Sequence, residues 1–151
     1  NSFDLVMAHH VIYHSSNKDK AISELKRVAK PDGLISITTN SEKHMLNVYT
    51  IGQSIDSNYD MVRNIDGFTE EDADSILPKH FENIQKEIYE DLLKVTDSDF
   101  MLEYVKSTTE PRKMNLKSSF YEEYSKIVEN EINEKGYFGI PKRSPHFICI
   151  K

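Results

Sequence analysis

Apolar residues first cluster in Phe3-Asp4-Leu5-Val6-Met7-Ala8, a short run without helical spacing. Such a run reads as a strand covered on both faces. Ala21, Ile22, Leu25, Val28 and Ala29 then recur at helical spacing, with Asn17 or Asp19 as the N-cap and Lys26, Arg27 and Lys30 in the last turn. That pattern predicts an amphipathic helix whose terminal cations suit its dipole. Pro31 is expected to stop the helix, and Gly33 to take a positive φ. Leu34 to Thr39 is rich in β-branched residues and predicts a second strand. Strand, helix and strand in this order form a βαβ unit with a parallel pair. Ligands of open α/β sheets bind beyond the carboxyl ends of such strands, so a site is expected to involve the loop from Ala8 to Ser16.

Beyond this unit, Met45, Leu46, Tyr49 and Ile55 share a face and predict a helix over 42–55. The stretch 56–67 is polar and turn-rich. Thr69 followed by Glu70, Glu71 and Asp72 reads as a capping box opening a short helix through Leu77, ended by Pro78. Over 81–95 the residues alone lean slightly to helix, since Ile84, Ile88, Leu92 and Val95 fit a helical stripe, although Ile84, Ile88 and Leu92 also share strand parity. A helix follows over 97–107, with Phe100, Met101, Tyr104 and Val105 expected inward. The longest helix is expected over 116–135, striped by Phe120, Tyr124, Ile127, Val128 and Ile132 and capped by Gly136. Two last strands, 137–140 and 146–151, are expected with Pro141–Pro145 connecting them. No internal repeat or domain linker is visible.

The length of 151 residues fits one domain with a real core. The net charge of −6 argues against a general nucleic-acid binder, which needs clustered Lys and Arg. No apolar run approaches membrane-spanning length and no signal peptide is visible. Cys149, the single cysteine, cannot make an internal disulfide and reads as a buried thiol. A reducing, cytoplasmic setting fits. The chain starts at Asn1, and a core strand opens two residues later, so it is expected to be the later part of a larger domain.

Candidate chemistry centres on His9, His10 and His14. His10 and His14 stand four apart, a spacing used for metal ligands on helices, but this segment reads as strand and loop and no second cluster has matching spacing, so no metal is assigned. Tyr121, Tyr124, Tyr137 and Phe138 are read as core rather than a pocket. Lys142 and Arg143 are read as a solvated hairpin tip, and Glu70–Asp74 and Glu122–Glu134 as solvated helix faces.

The residues FDLVMAHHVIYH, the helix ending Arg27-Val28-Ala29-Lys30-Pro31-Asp32-Gly33 and the strand LISITT together resemble the second half of a class I S-adenosylmethionine-dependent methyltransferase. In that family a Phe-Asp-hydrophobic strand leads to a Tyr-His or Leu-His pair, and the helix ends in a version of Arg-Val-Leu-Lys-Pro-Gly-Gly. Ala29 departs from the usual Leu and Asp32 from the first Gly. The resemblance is specific over residues 3–39 and weaker beyond them. It implies an α/β fold: the second half of a Rossmann-like sheet, parallel strands closed by an antiparallel one, with additional helices, as a single partial domain over 1–151. It makes 84–92 a strand, with 146–151 antiparallel beside it. It implies that Ala8, His9 and His10 approach the cofactor. It matches His14 to the histidine that orients a substrate or acts as a base, against the plainer reading that His14 only packs the loop. The family's glycine-rich loop and its ribose-binding acid are not found in this sequence.

Two functions follow. In one, the complete protein methylates a small molecule with S-adenosylmethionine, and this portion binds the cofactor weakly or not at all alone. In the other, the chain is a non-catalytic module that dimerises through the open edge of strand 3–8.

Overall fold

The computed structural model describes residues 1–60 and 67–151; part of the turn-rich reading over 56–67 therefore lies outside the described residues. In chain order come β1 (Phe3–His9), a 3₁₀ turn at Ile12–His14, α1 (Lys18–Val28), β2 (Ala29–Thr38), α2 (Leu46–Ile55), α3 (Glu70–Ile76), a 3₁₀ turn at Leu77–Lys79, β3 (Asn83–Val95), α4 (Ser98–Thr109), α5 (Phe120–Lys135) and β4 (Phe138–Ile150). The strands form one sheet in the order β1-β2-β4-β3, with β1 at its edge. β1 and β2 run parallel across the α1 crossover, and β4 runs antiparallel to β2. The expected α/β arrangement, parallel strands closed by an antiparallel one, is the one observed.

Contacts divide the chain into two compact units. The first comprises Asn1–His44, the described part of Val62–Glu90 and Arg143–Lys151. The second comprises 45–60 of the described residues and Asp91–Lys142. In the first unit, Val6 and Ala8 of β1, Ile35 and Ile37 of β2 and Phe147 and Cys149 of β4 alternate onto one face. There they meet Ile22 of α1, Ala73 of α3, Leu77 and Phe81. Burial raises the Cys149 thiol to about 11. In the second unit, Met101 and Val105 of α4 and Phe120, Tyr124 and Val128 of α5 pack with Val48, Tyr59, Phe138 and Ile140. Tyr124 and Phe138 are thus core, as read from the sequence; burial raises the Tyr59 phenol to about 12 and pushes that of Tyr124 further up.

Several expectations are corrected. The β1 strand is covered on one face only: Phe3, Leu5 and Met7 are 56%, 51% and 59% exposed. Helix α1 ends at Val28, and Pro31 lies inside β2. Asp32, not Gly33, carries the positive φ. Gly33 is required for space instead, since a Cβ there would come within 2.9 Å of the Lys30 carbonyl oxygen. Over 83–95 the chain is strand, as the family resemblance implied and helical periodicity did not. Phe100 and Tyr104 face outward on α4, and Ile127 is exposed on α5. The two expected C-terminal strands are one continuous strand, β4, so Lys142 and Arg143 are not a hairpin tip.

The acidic stretch opening α3 is also not simply solvated. Thr69 caps α3 with a full capping box through Asp72. Glu70 in the first turn is buried, and it accepts hydrogen bonds from Arg143 Nε at 2.7 Å and Nη2 at 2.8 Å. Lys86 Nζ stands 2.8 Å from the same carboxylate and also pairs with Asp74. Arg143 reaches Glu90 as well. The Arg143 hydrogen bonds, with help from Lys86, hold the Glu70 carboxyl at about 2.

Candidate functional site at the carboxyl ends of the parallel strands

The parallel pair ends at His9 opposite Thr38. Just beyond, His10 turns the chain with a φ of 49°, and its N–H donates to the Thr38 carbonyl at 3.0 Å. That hydrogen bond lets a non-glycine residue hold a left-handed conformation. Partial burial of its ring, and next the charge of His9, hold the His10 imidazole below its ordinary range. The chain then closes the 3₁₀ turn Ile12–His14, anchored by buried Ile12. The segment 67–70 lies against this loop. Thr39 Oγ1 donates to the Phe68 carbonyl, Asn40 bridges Thr69, and the Glu70 N–H donates to the Asn40 carbonyl at 3.0 Å. Gly67 has no room for a side chain, because a Cβ there would sit 2.1 Å from Tyr13 Cβ and 2.7 Å from its Cα.

The residues named from the sequence occupy distinct positions here. The Ala8 side chain is buried in the core, and its backbone is part of the ladder opposite Ile37. His9 is exposed on the open face of the sheet, and its Nε2 lies 2.7 Å from Ser36 Oγ. His10 is in the turn. His14 is exposed, with its ring tilted against Tyr13 at 4.6 Å. His9 thus ends β1, His10 follows it in the turn, and His14 ends the 3₁₀ turn. No group of three or more His, Cys, Asp or Glu with metal-binding geometry occurs among the described residues.

Sequence reading missed the partners of His9. Ser36 Oγ also lies 2.8 Å from His146 Nε2, and the two imidazoles meet edge-on at 5.9 Å. Register makes this cluster: Thr38 lies opposite both His9 on β1 and His146 on β4. No local pattern signals a contact between residues so far apart in the chain.

The open α/β sheet, with its parallel βαβ start and the turn at its carboxyl end, matches the fold of solved methyltransferase structures. Residues 1–37 match the family described as methyltransferase domain. Over 99% of its length the chain superposes on 64% of a candidate methyltransferase from Bacillus halodurans C-125, with 14% identity and a TM-score of 0.55. It superposes equally fully on 64% of the YcgJ protein from Bacillus subtilis, with 13% identity and a TM-score of 0.56. Over its whole length it also superposes on 61% of the MccD protein, with 16% identity and a TM-score of 0.50. The chain therefore spans less than two thirds of the length of these structures. No curated protein matches it. Among the described residues no helix is long and apolar enough to cross a membrane.

Proposed function

We propose that the whole protein transfers a methyl group from S-adenosylmethionine to a small molecule, and that residues 1–151 are the C-terminal portion of its catalytic domain. One observation carries the reading: the segment 1–37 that matches the methyltransferase family is also the segment that builds the strand-end turn. The chemistry of this wall suits a cationic cofactor. The loop Ala8–Ser16 holds no Lys or Arg, and the imidazole of His10 is held below its ordinary range, which favours its neutral form. The backbone around Ala8 and the side chains of His9 and His10 would form that wall. His14 would orient the acceptor or take its proton. When bound, the sulfonium supplies an electrophilic methyl group, and the protein contributes chiefly positioning. Residues 1–151 hold one wall and no glycine-rich loop, so this portion alone is expected to bind the cofactor weakly or not at all. Calorimetry of the full-length protein with S-adenosylmethionine or its demethylated product is the test. Saturable binding supports the reading, and its absence removes it. The proposed setting is cytoplasmic, with no nucleic-acid or membrane partner.

A second reading, an assembly module, is favoured by the open face of the sheet. Leu5, Leu34 and Ile150 form a row across β1, β2 and β4, with Met7 and Ile148 in the next. Leu34 and Ile150 are 42% and 41% exposed. A patch of this kind, beside an unpaired strand edge, is an association surface. The occupant proposed is a second copy pairing along β1. Light scattering of the 151-residue chain is expected to show a dimer, and Leu5→Lys a monomer. A wild-type monomer at high concentration removes this reading.

A further inference from the structure

We propose that Ser36 joins His9 and His146 into one proton-sharing unit, a relay that takes the proton shed by an amine or hydroxyl acceptor at the strand end. The inference rests on the methyl-transfer reading for its acceptor, with His14 in the orienting role and His9 taking the proton, but the relay itself is a property of this chain.

The geometry is specific. A serine hydroxyl has one proton and two lone pairs. Ser36 Oγ lies 2.7 Å from His9 Nε2 and 2.8 Å from His146 Nε2. With both rings neutral, the hydroxyl donates to one Nε2 and accepts from the other. One ring is then held as the Nε2–H tautomer and the other as the Nδ1–H tautomer. Ser36 is buried at 9% exposure, which shields the central link from competing water. The surroundings do not supply a competing charge from β1 or β2. Within β1 the other titratable group is Asp4, near the opposite end of the strand, and His10 follows β1 in the turn. On β2 the flanking residue is Thr38, whose hydroxyl oxygen is buried without a hydrogen-bond partner among the described residues. Thr38 lies in register between the two histidines. On β3, the neighbour of β4, Gln85 and Glu87 share a face through a 3.0 Å hydrogen bond. Strand alternation puts them opposite Ile84 and Lys86, which pack on the core, and so makes Glu87 the carboxylate of the open face within Asn83–Glu90.

The proton path balances without a co-reactant. His9 Nδ1 takes the proton from the acceptor nitrogen or oxygen, whose bonding pair stays behind. His9 Nε2 passes its own proton to Ser36 Oγ, and the Ser36 hydroxyl proton passes to His146 Nε2. His9 ends neutral as the Nδ1–H tautomer, and His146 ends as the imidazolium. Ser36 and His146 act through His9 and are positioning residues.

The test is long-range ¹H–¹⁵N NMR of the histidines in the 151-residue chain at pH 8.5, which requires no cofactor and so stands or falls apart from the calorimetry. Expected in the neutral state is one ring of each tautomer. Ser36→Ala is expected to release both rings to a tautomer mixture, with Ser36→Thr restoring the wild-type pattern. Identical tautomers on both rings, or a tautomer pattern unmoved by Ser36→Ala, overturn the relay.

Discussion

Glu70→Gln is expected to destabilise the first unit by about 3 kcal/mol, the scale for removing one partner of a buried ion pair. The carboxylate it removes is buried and faces Arg143 and Lys86 together, and each of those cations retains one further partner, Glu90 and Asp74. The pH dependence has a definite sign. The Glu70 carboxyl stands at about 2 in the folded chain against an ordinary 4.5. A group lowered on folding contributes stability that is complete above its unfolded value and lost as pH falls toward its folded value. The loss thus falls between about pH 4.5 and pH 2. Urea unfolding at pH 7, 4 and 3 checks both parts. The wild type should weaken steeply across that range, and the Gln variant should be weaker at pH 7 with a flatter decline. Equal stability of the two at pH 7 would refute the assignment.

Phe120→Ala is expected to cost about 3–5 kcal/mol, the range for deleting a buried aromatic. Its ring is fully buried between Tyr59, stacked at 5.2 Å, and Tyr124 at 6.0 Å. Tyr59 in turn fills the space over Gly52, where a Cβ would meet the ring at 2.2 Å. The hole therefore cannot be filled by moving Tyr59 without opening another above Gly52. Calorimetric melting should show a fall on the order of 10 °C for a chain of this size. A fall of only a degree or two would mean that the cluster relaxes into the cavity.

The first third of the fold was legible because two local signals coincide there, an apolar run and a helical stripe separated by caps. The α5 helix and its Gly136 cap were legible for the same reason, and Gly136 has the expected positive φ of 82°. Strand β3 was not legible from periodicity. Spacings of four serve both a helix face and a strand face, so Ile84, Ile88 and Leu92 could not decide between them. The resemblance decided it. Strand β4 was misread as two pieces because Pro141 and Pro145 look like punctuation. The buried Glu70 was misread because a helix N-terminus full of acids normally faces water, and Arg143 and Lys86, from strands distant in the chain, reverse that. In the site, His9, His10 and His14 were visible as residue types at a strand end. Ser36, Thr38 and His146 were not, because register between strands is a long-range property that no window of the chain contains.

The buried thiol in β4 has a practical meaning. Cys149 is the single cysteine, its side chain is inaccessible, and burial raises it to about 11. Only a thiolate in contact with solvent is alkylated at an appreciable rate. A reagent added to the native chain therefore reacts only when the middle of the sheet parts, and the labelling rate is a clock for that opening, built into the sequence at one position and read without any added probe.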